Sequence, residues 1–355
     1  MDNPVGQICI IVAGFLVLLC GSGLARGAAD EPEPVRIALT REPSAAPLFI
    51  AVAEGFFKAE GLDPQITFLE SDAAVSAAVA SGTVDIGMAS VSAPFYRYAA
   101  AHSLKLIASR SSDQSGLPMY ALLSSSTRAA DHSGVRALTD ARIGIADTES
   151  GAYYALFKIA SRFGLDPGSI KTVSLRSTAG ELETLSRGNI DAALLPFAIA
   201  INAKSGRSSL LRLSDFAQWQ QGVVFTTAEN IATRRSLIQR FVRAYQHGTE
   251  DYQLNFLHYD DGGDFIPGPQ YDKYLKLIAR QARMSPETLA KTKTYCDRRG
   301  NLDVTDIEKQ VQFWQAQGRL DKHIAATGLL DISFIGEETS PATRALVPDS
   351  TFRIK

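Results

Sequence analysis

Gly61-Leu62-Asp63-Pro64, followed by Ser81-Gly82-Thr83-Val84-Asp85-Ile86-Gly87, returns about a hundred residues later as Gly164-Leu165-Asp166-Pro167 and Arg187-Gly188-Asn189-Ile190-Asp191-Ala192-Ala193. Each copy opens on a strand-like run, Val35-Arg36-Ile37-Ala38-Leu39 in the first and Ala141-Arg142-Ile143-Gly144-Ile145-Ala146 in the second. Corresponding glycines are offset by 164 − 61 = 103 and 188 − 82 = 106 residues, and Ile143 follows Ile37 by 106. A solenoid unit is only ~20–50 residues long. The longer period predicts two α/β lobes of one design with a cleft between them, the usual place for a small ligand.

Working outward, Val35–Thr40 reads as a buried strand and Arg41–Pro47 as a loop, because Pro43 and Pro47 turn the preceding residues away from helix. Leu48–Glu60 has helical spacing and stops at Gly61. Gln65–Glu70 alternates like a strand, Ser71 or Asp72 caps an alanine-rich helix, and Asp85–Ala89 is a short strand. The resulting βαβαβ order calls for a mostly parallel sheet covered by helices. Leu104–Ser109 adds a strand, Ser111–Pro118 a polar crossover, and Met119–Leu123 begins the second lobe. Val223–Thr227 leads back. From Thr233 the chain is mainly helical, over Ser236–Leu257, Tyr271–Gln281, Pro286–Lys293 and Thr305–Gln317.

A chain of 355 residues accommodates two domains. With 45% hydrophobic and 21% charged residues and a net charge of −2, it fits neither a disordered nor a fibrous class. No basic cluster exceeds a pair such as Arg234-Arg235, so no nucleic-acid partner is expected. Ile8–Leu19 is apolar but shorter than the ~20 residues of a spanning helix. The small residues Gly21 to Ala29 follow it, so residues 1–29 read as a signal peptide and the mature chain as exported. An uncleaved anchor is the rival reading. Cys20 allows a lipid anchor, against which the bulky Leu19 argues. Cys296 is then the only cysteine of the mature chain, and no internal disulfide is expected.

Catalytic patterns are missing from the sequence. The five histidines show no HxxH or HExxH spacing. Asp260-Asp261-Gly262-Gly263-Asp264 lacks the twelve-residue rhythm of a calcium loop. No GxSxG, P-loop or GxGxxG occurs. No metal, cofactor or catalytic residue is expected.

Gly55-Phe56-Phe57-Lys58-Ala59-Glu60-Gly61-Leu62 before a strand, with the two glycine-aspartate turns and the entry Leu138-Thr139-Asp140-Ala141-Arg142-Ile143-Gly144-Ile145, resembles periplasmic substrate-binding proteins of the nitrate/sulfonate/taurine ABC importer family. Its superfamily also includes binders of thiamine pyrimidine precursors. The resemblance spans roughly Val35 to Gln317. It implies a type II periplasmic-binding-protein fold, two similar α/β lobes around a ligand cleft joined by two crossover segments. Lobe 1 would be residues 35–118 plus 229–355, and lobe 2 residues 119–228. It further implies a monomeric solute receptor serving an ABC permease and its ATPase in the membrane. The cysteine cluster of the related yeast-type pyrimidine synthases has no counterpart here.

Ligands of open α/β sheets sit beyond the carboxyl ends of the strands. Helix starts there offer an anion ~0.3–1 kcal/mol each. The candidate residues are accordingly Arg41, Ser44 and Pro47; Ser90, Val91, Ser92 and Ala93; and Thr148, Ser150 and Gly151. Tyr153 is a candidate pocket floor, and Pro196 follows the second glycine-aspartate turn. Each has a plainer reading: helix caps use the same hydroxyls, an arginine at a loop edge is commonly just exposed, and aromatic side chains commonly fill cores. The expected solute is a small organic anion (sulfonate, taurine-like or aromatic carboxylate), then a pyrimidine-type thiamine precursor, then nitrate or bicarbonate. A ligand-sensing module for a membrane receptor, or an enzyme on the same fold, are the other classes.

Overall fold

The computed structural model describes residues 31–124, 141–166, 169–204 and 209–336. The expected signal peptide with Cys20, the connection 125–140 and the tail beyond 336 lie outside the described residues.

Among the described residues, ten strands form two five-stranded sheets. In chain order they are β1 (Glu33–Leu39), β2 (Leu62–Phe68), β3 (Ile86–Ser90), β4 (Leu104–Asp113), β5 (Tyr120–Ser124), β6 (Arg142–Ile145), β7 (Lys171–Ser174), β8 (Ala192–Pro196), β9 (Leu210–Arg212) and β10 (Trp219–Thr227). The first sheet has the order β2-β1-β3-β10-β4 and the second β7-β6-β8-β5-β9. In each, three parallel strands come from one copy of the repeat, while β10 and β5 run antiparallel in equivalent fourth places. The chain thus enters the second sheet through β5, and β10 returns to the first. This is the two-lobed α/β fold with two crossovers.

The repeat is exact in its ion pairs. The Arg36 amide donates to Asp85 Oδ2 at 2.9 Å, and its guanidinium reaches the same carboxylate at 3.2 and 2.8 Å. The Arg142 amide donates to Asp191 Oδ2 at 2.8 Å, with guanidinium contacts of 3.2 Å to both oxygens. Both partners are offset by 106 residues, 142 − 36 and 191 − 85. These aspartates tie the strand that follows a glycine turn to the first strand of its own sheet. Gly82 and Gly188 make that turn possible, with φ of +70° and +72°, a region that costs other residues ~1–2 kcal/mol.

Three details differ from the sequence reading. Gly55, at φ +77°, divides Leu48–Glu60 into helices Ala46–Ala53 and Phe56–Ala59. β4 continues to Asp113, so the polar residues from Ser111 onward are strand and only the turn around Gln114–Leu117 is crossover. Their polarity is buried because β10 lies beside them: Ser111 Oγ donates to Gln221 at 2.7 Å and Gln220 Nε2 to Ser109 Oγ at 2.8 Å. For the same reason the return strand starts at Trp219 rather than Val223, and residues 219–227 pair within the first sheet.

The helices after β10 include Arg235–Phe256, Tyr271–Ala282, Pro286–Lys291 and Val304–Ala316. The last joins the two sheets. Asp306 accepts Tyr154 Oη at 2.8 Å from the helix after β6, and the Gln220 amide of β10 at 2.9 Å.

Candidate functional site

An open groove of about 490 Å³ lies at the carboxyl ends of β1 and β2. Thr40, Arg41 and Glu42 line it from the end of β1, Phe68 to Asp72 from the end of β2, and Arg283 from the far side. Local sequence sets this shape. Pro43 starts a short 3-10 turn that carries Glu42 across the strand ends. Ser71 caps helix Asp72–Ala80 by accepting the Ala74 amide at 3.2 Å, which fixes Asp72 at the helix start. The Arg41 guanidinium lies 3.7 Å over the Phe68 ring and donates to the Gln281 carbonyl at 3.2 Å.

Behind Glu42 lies a fully buried arginine, Arg110 of β4. Its Nη2 lies 3.0 Å from Glu42 Oε2 and 3.0 Å from Ser90 Oγ. Nε and Nη1 are buried with no acceptor among the described residues. The guanidinium lies against Gly222 of β10, where a Cβ would come within 2.5 Å of Nε. Asp72 closes the cluster, accepting the Ser90 amide at 3.1 Å. Burial pushes its carboxyl above the ordinary value, with Glu42 adding to the rise and Arg110 opposing it. Three carboxylates (Glu42, Glu70, Asp72) and two guanidiniums (Arg41, Arg283) line the groove, and Arg110 makes three cations against three anions.

The candidate loops of the two sheets do meet. Ser92 and Ser150 form an isolated antiparallel bridge, and the Ala93 amide donates to the Glu149 carbonyl at 3.0 Å. Arg97 grips the Glu149 carboxylate at 3.2 and 3.0 Å. Ser92 and Ser150 cap their helices through the Phe95 and Tyr153 amides at 3.2 and 3.3 Å. The Val91 amide donates to the Gln221 carbonyl at 2.8 Å. The Val91, Ala93, Phe95 and Tyr153 amides therefore have protein acceptors, that of Ala93 supplied by the facing loop.

The other candidates are spread out. Arg41 lines the groove. Ser44 supports it from behind, donating to Glu42 at 3.2 Å, and Ser90 does so through Arg110 and Asp72. Thr148 is half-buried beside the Glu149 contact. Pro47 is buried under helix Arg235–Phe256, where its carbonyl would lie 2.2 Å from a Cβ on Gly248. Gly151 sits under Trp219, whose ring would meet a Cβ at 2.3 Å. Tyr153 stacks on Trp314 at 6.3 Å, away from the groove at β1 and β2. Pro196 pairs with Tyr120 across β8 and β5. Phe68, Asp72 and Arg283, which line the groove, and Glu42 and Arg110, the pair at its back, were not among the candidate residues. The available signal for Arg110 lies in its neighbours, the otherwise apolar and small run Leu106–Ser112.

A family model described as NMT1/THI5 like matches residues 42–255, more than half of the chain. The protein belongs to the NMT1/THI5-like family. No curated protein sequence matches it significantly. Among solved structures, this family member is similar to the periplasmic aliphatic sulphonate binding protein SsuA from Escherichia coli, with a TM-score of 0.63, 14% identity, and coverage of 84% of this chain and 97% of that one. A Candida albicans gene product described as having the generic periplasmic binding protein fold gives 0.59, 16%, and 86% and 98%. The periplasmic nitrate-binding protein NrtA from Synechocystis PCC 6803 gives 0.53, 10%, and 82% and 83%. At such identities the likeness establishes the periplasmic binding protein fold, and the chemistry of the NMT1/THI5-like groove has to be argued from its own residues.

Proposed function

We propose that the protein is an exported, monomeric solute receptor of an ABC importer, which captures a small organic anion between its lobes and hands it unchanged to a membrane permease and its ATPase. The observation that carries this reading is the groove at the carboxyl ends of β1 and β2, where Arg41 and Arg283 stand among carboxylates; it is the first lobe's wall of the cleft in this reading. Its balanced charge favours a solute that donates hydrogen bonds as well as carrying an acid group, such as a taurine-like aminosulfonate. Nitrate or bicarbonate would meet Glu42, Glu70 and Asp72 with little or nothing to give them. The crossovers into β5 and out to β10 are the hinge in this reading, and ligand contacts with both lobes shift the population toward the closed form.

The same groove suits a second solute class. An aminopyrimidine of the thiamine-precursor type presents N–H donors that suit Glu42 and Asp72. A thermal-shift panel of taurine, alkanesulfonates, aromatic carboxylates, aminopyrimidines and nitrate distinguishes them. A true solute at 100 times its Kd is expected to stabilise the protein by about 2.7 kcal/mol. A panel without any response sinks the receptor reading.

A further inference from the structure

We infer that the Arg110 guanidinium is the deep anion subsite of this protein, and that Glu42 occupies it until the carboxylate or sulfonate of a solute takes its place. The inference rests on the receptor reading given above and adds to it the atom that holds the acid group and the side chain that guards it.

The geometry separates two kinds of cation. Arg41 and Arg283 line the open groove. Arg110 does not line it, has no exposure, and is reached past Glu42, which contacts the groove on one side and Arg110 Nη2 on the other. A guanidinium has five N–H donors in a rigid fork. Here Nη2 serves Glu42 and Ser90, with Gln221 Oε1 at 3.5 Å, while Nε and Nη1 have no acceptor among the described residues. A buried charged donor with no partner is costly, and an oxyanion offers two or three oxygens in the geometry that the fork matches. Ser90 Oγ, already within 3.0 Å of Nη2, fixes the fork in place.

Glu42 is fitted to leave. Its side chain retains 35% exposure while that of Arg110 retains none. Apart from Arg110, it accepts a 3.2 Å hydrogen bond from Ser44, two residues away on the same short turn. Asp72, by contrast, is held at a helix start by the Ser90 amide. Of the two carboxylates, Glu42 is therefore the one whose removal leaves the scaffold intact. An internal acid on the subsite acts as a tethered competitor. The observed affinity for an acidic solute is reduced by the fraction of molecules in which Glu42 has moved away.

The test is isothermal titration of taurine, ethanesulfonate and benzoate into the wild-type protein and E42Q, with circular dichroism melting to verify folding. E42Q keeps the size and the Ser44 contact but removes the competing charge. The inference expects at least one acid to bind E42Q about tenfold tighter than wild type. It also expects a crystal structure of the wild type with that acid to show its oxygens on Arg110 and Glu42 turned away. Equal or weaker binding to E42Q, or a complex in which Glu42 stays on Arg110, overturns the inference while leaving the receptor reading in place. If neither protein binds any acid of the panel, both the organic-anion reading and the inference fall.

Discussion

Arg110 and Glu42 form an ion pair with one sealed partner and one open one: Nη2 and Oε2 stand 3.0 Å apart, the arginine side chain fully enclosed and the glutamate reaching the groove. Such a pair contributes little net stability, because burying the guanidinium costs about as much as the contact returns. Breaking it from the buried side is another matter. R110M removes the buried cation behind Asp72 and Glu42, and is expected to cost about 3 kcal/mol in urea unfolding, the low end for a broken buried pair because Glu42 reaches solvent. A loss below about 0.5 kcal/mol would show that solvent already screens the cluster.

The Arg36–Asp85 contact makes a prediction with a defined pH window. Burial pulls the Asp85 carboxyl up, but the hydrogen bonds from Arg36 and the charges of Arg234 and Arg36 hold it below its ordinary value. A depressed carboxyl contributes stability that is present above the unfolded-state value and lost as pH falls through the folded one. D85N is expected to cost about 1.5–3 kcal/mol at pH 7. The deficit should shrink below pH 4, as measured by urea unfolding across pH.

Glu181 occupies, in helix Thr178–Ser186, the place that Val75 holds in helix Asp72–Ala80, since 181 − 75 is the repeat offset of 106. Both side chains are fully buried. Burial pushes the Glu181 carboxyl up to about 8, the Ala146 amide drawing it partly back. A raised carboxyl contributes stability below the unfolded-state value that is lost as pH rises through the folded one. E181V is therefore expected to stabilise the protein by about 1–3 kcal/mol at pH 7. Its advantage should be larger at pH 9, and a melting temperature that does not rise between wild type and variant would contradict the twin-position argument.

Gly151 opens helix Gly151–Arg162 directly beneath Trp219, and a methyl group there would sit 2.3 Å from the ring and 3.0 Å from the Val91 carbonyl. G151A is expected to cost about 1–3 kcal/mol through overpacking. It should also change the Trp219 emission, because the ring must move from a position fixed by its hydrogen bond to Asp113 at 3.2 Å.

Glu149 gathers the charges that join the two lobes. The hydrogen bond from Arg97 lowers its carboxyl against the pull of burial, with Arg319 adding to the effect. The guanidiniums are partly exposed, so E149Q is expected to change stability by no more than about 1 kcal/mol. The larger change expected is in small-angle scattering of the unliganded protein, as a shift toward a more open form. Identical scattering curves would show that backbone contacts such as Ala93 to Glu149 suffice to hold the lobes.

The chain's own order of residues determined the duplicated α/β plan. Glycine-aspartate turns, serine caps and apolar strands are local signals whose physics acts within a few residues, so Gly82 and Gly188, or Ser71 and Ser177, can be read without knowing what surrounds them. Candidate residues at strand ends were named from the same local signals, and Arg41 is the one of them that lines the groove at β1 and β2. Tertiary structure decided which of the others face it. Ser111 and Asp113 look like a solvated crossover until β10, entering from more than a hundred residues away, covers them and pairs their side chains with Gln221 and Trp219. Ser92 and Ser150 turn to each other rather than to open space only because the two sheets are brought together. Burial and charge pairing are properties of neighbours in space, and for Arg110 every decisive neighbour (Glu42, Ser90, Gly222) lies at least 20 residues away in sequence.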